Sequence, residues 1–358
     1  MSTTINYLTL TRQMKQSEFD DLLMKVYDDS FRDRSRIISD PFIFSDGRYS
    51  NSGVVIEYIN RKKKKIRITI NPSLLMQHDD SDGLWEPSKE NSLSFINKLK
   101  DLLDKRFDNE FELDDFSLNE LTLTMDVDLE DRDLVKSYIR TLNNMKNVKN
   151  YTWLRGIKAY REEYKHLGFI LQGNSNGVTF AGHSKALGLS HFENEKACDC
   201  IRLRHHKNVL RFDIVLEKVA VRRNTKHSKP TAQIIELAKN REKIFVDIFY
   251  HIIPMGDYLK LTDAVKVVER RVSDIRLQRK MINYMKLIPT TKSVLSAQQS
   301  LGERKIEKIK KEFAMLGLSP ITITKRQDVK HLRCLYKIIA GDKSKDIIDI
   351  SDDEELED

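Results

Sequence analysis

Residues 116–129 read FSLNELTLTMDVDL. Apolar and polar side chains alternate along this stretch, which is the period of a strand with one face in a core and the other toward solvent. The strand is long and ends in two acids, Asp126 and Asp128, whose spacing of two places both carboxylates on the same side of the sheet. The rest of the fold is read outward from it.

Toward the N-terminus, residues 5–12 (INYLTLTR) alternate in the same way and predict a first strand. A helix follows from Ser17, with Phe19, Leu22, Leu23 and Val26 as its apolar stripe. Val54–Ile59 and Ile66–Ile70 form a hairpin whose tip is Asn60 and the run RKKKK, residues 61–65. Leu93, Phe95, Ile96, Leu99, Leu102 and Leu103 mark a second helix; Leu134, Val135, Tyr138, Ile139 and Leu142 mark a third. Strand patterns then return as GFILQ, GVTFAG, LGLSHF and VLRFDIVLEKV, all before residue 220. This order predicts an α+β fold with a mainly antiparallel sheet, arranged as two ferredoxin-like halves. Neither GxGxxG nor GxxxxGK[ST] occurs, so nucleotide-cofactor chemistry has no support.

From about residue 230 the pattern becomes helical. Pro230 opens a helix through Ile234, Ile235, Leu237 and Ala238. Residues 262–287 are amphipathic, with Arg270, Arg271, Arg276, Arg279 and Lys280 on polar positions. A further helix over Glu303–Leu316 precedes ITITK, read as a short strand. The expected division is 1–228 for the α+β domain, 229–342 for a basic helical domain and 343–358 for an acidic tail.

Composition narrows the function classes. The 358 residues carry 62 Lys and Arg against 54 Asp and Glu, a net charge of +8. Eight of those acids fall in residues 346–358 (DIIDISDDEELED), so the body is more basic than the total suggests. A basic body with an acidic tail suits a nucleic-acid partner, although solvated charge looks the same. The apolar runs are far too short for a membrane span, the first residues lack a secretory pattern, and three cysteines build no disulfide framework. A cytoplasmic protein with no membrane partner is expected.

Three groups of residues bear on chemistry. Lys62, Lys63, Lys64 and Lys65 at the hairpin tip suit phosphate contacts or plain solvation equally. Asp126 and Asp128 repel unless a cation or a basic group lies between them, which suits a hard divalent ion such as Mg²⁺ or Mn²⁺ or, equally, exposure to water. In VLRFDIVLEK, Arg211, Asp213, Val215 and Glu217 share one strand face and Leu210, Phe212, Ile214 and Leu216 the other. His183 and His191 precede it in NGVTFAGHSKALGLSHFENEKA. Cys198, Cys200, His205 and His206 lack the spacing of a structural zinc site.

The stretches LNELTLTMDVDLEDRDLVKSYIRTLNN, NGVTFAGHSKALGLSHFENEKA and VLRFDIVLEKVAVRR together resemble the rolling-circle replication initiators of filamentous phages (gene II type) and related plasmid Rep proteins. Gly182 and Ser184 stand where that family has its G-x-S, Glu195 and Lys196 near its acidic-basic end, and residues 210–216 where it has the last strand. The resemblance implies DNA as partner, with a host helicase as a further one, and a tyrosine hydroxyl that attacks a phosphodiester with a divalent cation, Mg²⁺ or Mn²⁺, nearby. It implies Asp126, Asp128, His191, Asp213 and Glu217 as residues holding metal or orienting phosphate. Lys185, Lys196 and Arg211 are implied as DNA contacts. One departure stands out: the family's two motif tyrosines fall on Phe180 and Phe192, which have no hydroxyl. Tyr160 and Tyr164 are the nearest tyrosines in sequence. The chain therefore reads as a rolling-circle initiator that nicks an origin, or as a DNA-binding replication regulator on the same scaffold that does not cut.

Overall fold

The computed structural model describes residues 2–33, 42–46, 48–76, 85–129, 131–154, 168–186 and 208–341. Nine strands form one sheet: β1 (Thr4–Gln13), β2 (Ile43–Asp46), β3 (Val54–Ile59), β4 (Lys65–Ile70), β5 (Ser117–Asp128), β6 (Tyr151–Trp153), β7 (Gly168–Gly173), β8 (Val178–Ser184) and β9 (Val209–Glu217). Their spatial order is β2-β3-β4-β1-β5-β9-β8-β7-β6, and every neighbouring pair is antiparallel. The fold is α+β.

Of the two ferredoxin-like halves expected, only the first has that strand order. In the first, β1, helix α1 (Gln16–Asp33), β3, β4, helix α3 (Lys89–Phe107) and β5 follow one another, and their order in the sheet is β3-β4-β1-β5. The second does not repeat it: β5, α4 (Arg132–Leu142), β7, β8 and β9 follow one another, but β9 lies between β5 and β8, where the ferredoxin-like order would place β5; β2 and β6 form the two edges. A short α2 (Pro72–Leu75) follows β4, its turn closed by the Asn71 side chain.

Local signals explain the element ends. Ser88 and Asn91 form a reciprocal capping box at the start of α3, and Asp131 accepts the Asp133 amide at the start of α4. The central strands send alternate residues to opposite sides. Leu121, Leu123, Met125 and Val127 of β5 and Leu210, Phe212, Ile214 and Leu216 of β9 are all buried. The intervening residues (Glu120, Thr122, Thr124, Asp126; Arg211, Asp213, Val215, Glu217) form a polar face.

Helix α5 (Lys218–Asn224) and the long α6 (Pro230–Ile252) pack against the central strands. Phe249 of α6 sits with its ring centroid 5.0 Å from Phe212 and 6.0 Å from Phe180, edge-on to both, and 5.1 Å from Tyr336. Aromatic pairs of this geometry add to their burial energy. The Tyr336 hydroxyl donates to the carbonyls of Phe249 and Ile253, so α6 joins the sheet to the C-terminal segment.

That segment holds α7 (Leu261–Arg271), α8 (Ile275–Thr291), α9 (Val294–Leu301), α10 (Glu303–Leu316) and α11 (Leu335–Ile339). The amphipathic stretch 262–287 is thus two helices, broken at Val272–Asp274, where Asp274 caps α8 through the Arg276 and Leu277 amides. ITITK is not a strand: Ile323 makes a single bridge to Lys260, and both Ile321 and Ile323 are buried. The pairing that does form, β10 (Tyr258–Leu259) with β11 (His331–Leu332), is two residues long, too short to leave a period in the sequence. No helix among the described residues is long and apolar enough to cross a membrane.

Replacing Phe212, which is fully buried between Phe180 and Phe249, by Ala should destabilise the protein by about 3–5 kcal/mol. The exposed Met24→Ala should stay within about 0.5 kcal/mol of the parent. Urea unfolding followed by circular dichroism measures both, and equal midpoints would refute this account of the core.

Candidate functional site: a charged cluster on the polar face of the sheet

The register of three strands builds the site. Asp126 of β5 lies opposite Arg211 of β9, which lies opposite His183 of β8; Thr124 of β5 lies opposite Asp213. Because these positions share one side of the sheet, their side chains meet above it.

Asp126 and Arg211 form a two-pronged ion pair: Nε donates to Oδ1 at 2.7 Å and one terminal guanidinium nitrogen to Oδ2 at 2.8 Å. Lys185, one residue past β8, places its Nζ 3.0 Å from the same Oδ2. The Asp126 side chain is 24% exposed, those of Arg211 and Lys185 only 10% and 9%. Burial opposes ionisation of Asp126, but the hydrogen bonds and charges of Arg211 and Lys185 prevail and hold its carboxyl below the usual range.

Next to this group, His183 Nε2 lies 2.8 Å from Asp213 Oδ2, and His183 Nδ1 lies 3.0 Å from the Ser184 carbonyl. The Thr124 hydroxyl donates to Asp213 Oδ1 and the Thr4 hydroxyl to the Thr124 carbonyl. Burial pushes the imidazole toward neutrality, yet the Asp213 hydrogen bond and charge, with the Ser184 carbonyl, raise its pKa above the ordinary value. Both ring nitrogens face acceptors, which suits the imidazolium with two N–H donors. The cluster therefore gathers three cationic groups (Arg211, Lys185 and His183 when protonated) around two carboxylates.

Tyr7 of β1 lies opposite Thr122 and brings a phenol onto the same face. Burial raises its pKa; the Asn71 side chain and the Arg211 charge act to lower it and the Asp213 charge to raise it. Tyr7, Thr124 and Asn208 were not singled out in the sequence, because alternation within one strand shows a face but not what lies across it.

Of the described residues expected to hold metal, Asp126 and Asp213 meet in one cluster, and Asp128 and Glu217 have other neighbours. Asp128 at the end of β5 accepts from Asn208 at 2.7 Å, and Glu217 lies opposite Glu120, at the other end of β9 from Arg211. Both oxygens of Asp126 are engaged by Arg211 and Lys185, and both of Asp213 by Thr124 and His183. Among the described residues no three His, Cys, Asp or Glu side chains converge as a metal group. This donor set does not fit a Mg²⁺ or Mn²⁺ cage by itself.

The motif positions have structural explanations. Gly182 faces the core, where an added Cβ would lie 2.6 Å from the Phe169 ring. Phe180 is fully buried and stacks on Phe212 at 5.8 Å, so a tyrosine at that place in the motif would point away from the charged cluster. Phe192, His191, Lys196, Tyr160 and Tyr164 lie outside the described residues, as do the Cys198–His206 group and the acidic tail. At the hairpin tip, Lys62 and Lys63 are exposed, Lys64 bonds Asn60, and Lys65 begins β4.

No protein-family model matches the sequence, and no curated protein matches it. A solved structure of a rolling circle replication initiator protein from Geobacillus stearothermophilus aligns over 71% of this chain and 86% of that one, with 10% identity and a TM-score of 0.30. A likeness of that size carries no argument about fold or function.

Asp213→Asn should lower the His183 pKa, because burial then acts with far less opposition. The sign for stability follows from the raised folded value: the pair stabilises the native state below the unfolded histidine pKa of about 6.5, and the gain is lost as pH rises through the folded pKa. In the variant this pH-dependent gain should vanish. Titration of the His183 ring by NMR checks it; an unchanged or higher pKa would show that Asp213 does not hold the imidazolium.

Proposed function

We propose that this protein is a DNA replication initiator of the rolling-circle type, which engages a phosphodiester of its origin on the polar face of the sheet. One observation supports this most: Arg211 and Lys185 converge on a single oxygen of Asp126, at 2.8 and 3.0 Å, on the strands whose sequence resembles those initiators. Two buried donors aimed at one oxygen are the arrangement that receives a phosphate oxygen. With His183 adding a positive charge beside them when protonated, the face is a place where negative charge on phosphorus-bound oxygens is stabilised.

In the nicking reaction a tyrosine oxygen bonds to phosphorus, the bond from phosphorus to the 3′-oxygen breaks, and the strand stays on the protein as a 5′-phosphotyrosyl ester. The phenol proton passes to a base, and the leaving 3′-oxygen takes one up. His183 has both ring nitrogens engaged, by Asp213 and the Ser184 carbonyl, so it offers positive charge beside the phosphate and water takes up and supplies these protons. Tyr7 offers the nucleophile from the described part of the polar face; Tyr160 and Tyr164 remain candidates from sequence. No divalent ion enters this scheme, since both oxygens of Asp126 and both of Asp213 already have partners.

A second reading, DNA binding without cleavage, is favoured by one feature. Asp126 itself occupies the seat between Arg211 and Lys185, and a phosphate must displace or share it.

The test is a nicking assay on single-stranded and supercoiled DNA with Mn²⁺, using the parent chain, Phe192→Tyr, Tyr7→Phe and Arg211→Ala. Cleavage by the parent that is lost in Arg211→Ala and leaves an adduct on a tyrosine supports the initiator reading. Cleavage only by Phe192→Tyr places the missing nucleophile at residue 192. Binding without cleavage in every variant favours the regulator, and absence of DNA binding by the parent refutes both readings. Arg211→Ala also leaves Asp126 with Lys185 alone, so it should destabilise the fold by about 3 kcal/mol, which a melting curve separates from loss of activity.

A further inference from the structure

The exposed side of α8 is unlike the other faces of the C-terminal segment. Over its 17 residues the helix carries Arg276, Arg279, Lys280 and Lys286 and no acid. At 100° per residue, Ile275, Lys286, Arg279, Asn283, Arg276 and Lys280 fall within one arc of about 140°, and all six are exposed. Leu277, Met281, Tyr284, Met285 and Ile288 occupy the opposite arc and are buried. Arg276, Arg279 and Lys286 form no ion pair among the described residues, whereas the cations of the sheet face are paired.

The connection to α7 is three residues, Val272–Asp274. It is fixed by the Asp274 cap, by the Val272 amide on the Val268 carbonyl, and by the Gln278 side chain donating to the Glu269 carbonyl at 3.0 Å. Arg270 and Arg271 end α7 beside this turn. The one acid at the start of α8, Asp274, is occupied in the cap and has Lys308 of α10 at 4.0 Å. The buried arc is held by α7, α9 and α10, with Gln298 donating to the Tyr284 hydroxyl. A helix held rigidly on one side and after a short turn is the layout in which a second helix enters the major groove of duplex DNA. The exposed arc runs about 16 Å from Ile275 to Lys286. Ile275, 61% exposed at the head of the helix, is an apolar contact of the kind that meets a thymine methyl.

We propose that α8 is a duplex-DNA reading helix, a second nucleic-acid site separate from the charged cluster on the sheet, with Arg276, Arg279, Asn283 and Lys286 as the contacting side chains. The assignment rests on the rolling-circle reading for the presence of DNA, and deepens it by giving the duplex part of an origin its own seat. The commitment to duplex DNA comes from charge complementarity along a rod of the right length.

The experiment uses the full chain with Arg276→Ala, Arg279→Ala and Lys286→Ala combined, and separately with Arg279→Glu. Binding to a 30-base-pair duplex and to one of its single strands is followed by fluorescence anisotropy over a salt series. The expected result is a loss on the order of tenfold or more for the duplex, a log–log salt slope shallower by about 0.9 per contact removed, and unchanged binding and nicking of the single strand. Equal duplex binding by the parent and both variants overturns the proposal while leaving the initiator reading intact. An equal loss on duplex and single strand also overturns it, since the face would then be a general strand clamp. A parent that binds neither DNA overturns both the initiator reading and this proposal. All substituted side chains are exposed, so unchanged melting is expected, and Arg279→Glu alone keeps the test valid if the triple variant melts early.

Discussion

The antiparallel pairing of β5 with β9 is the constraint on which the rest of the structure depends. It sets Leu121, Leu123, Met125 and Val127 beside Leu216, Ile214, Phe212 and Leu210, and the same register sets Asp126 against Arg211 on the other face. A slip of one residue would send every apolar side chain of the strand to the polar face and bury the charges instead. Core and charged cluster are therefore two consequences of one hydrogen-bonded register. The fully paired Asp126 reinforces it, because a carboxylate buried without Arg211 and Lys185 would be costly.

The aromatic joint at Phe180, Phe212 and Phe249 carries that order outward. Phe249 brings α6 onto the underside of β8 and β9, and Tyr336 ties the C-terminal segment to α6. Further ties come from the Val294 amide on the Met145 carbonyl and the Tyr138 hydroxyl on the Arg333 carbonyl. The helices that present the basic arc of α8 are thus anchored to the same sheet whose opposite face holds the charged cluster. Two cationic surfaces of different character result, one with its charges buried and paired, the other with its charges free in water.

Those two surfaces differ in how they can interact with an anion. Arg211, Lys185 and His183 have lost most of their water and are held by Asp126 and Asp213, so their positions are fixed in advance, which suits chemistry at one phosphate. Arg276, Arg279 and Lys286 keep their water, which suits many exchangeable contacts and a steep dependence on salt.

Much of the fold was legible in the sequence. The strands at 5–12, 54–59, 66–70, 116–129 and 209–217, the hairpin with its lysine tip, and the helices at 93–103, 134–142 and 303–316 follow from local periodicity. So does the sharing of one face by Arg211, Asp213, Val215 and Glu217. ITITK misled because alternation reports burial, and its isoleucines are buried without a neighbouring strand. The break at Val272–Asp274 was present as Ser-Asp before Ile275, a capping signal inside a longer amphipathic run.

What the sequence determined by itself is which side chains share a face, since a period of two or 3.6 is a property of the chain alone. Which faces meet was decided only by the tertiary structure. That Asp126 closes on Arg211 and Lys185, that His183 finds Asp213, and that Tyr7 comes onto their face depend on the order of strands separated by many residues. The same is true of Glu217, which shares the face of Arg211 and Asp213 in sequence and lies opposite Glu120 at the other end of β9. Register across strands is fixed by the fit of the whole core, and no local pattern contains it.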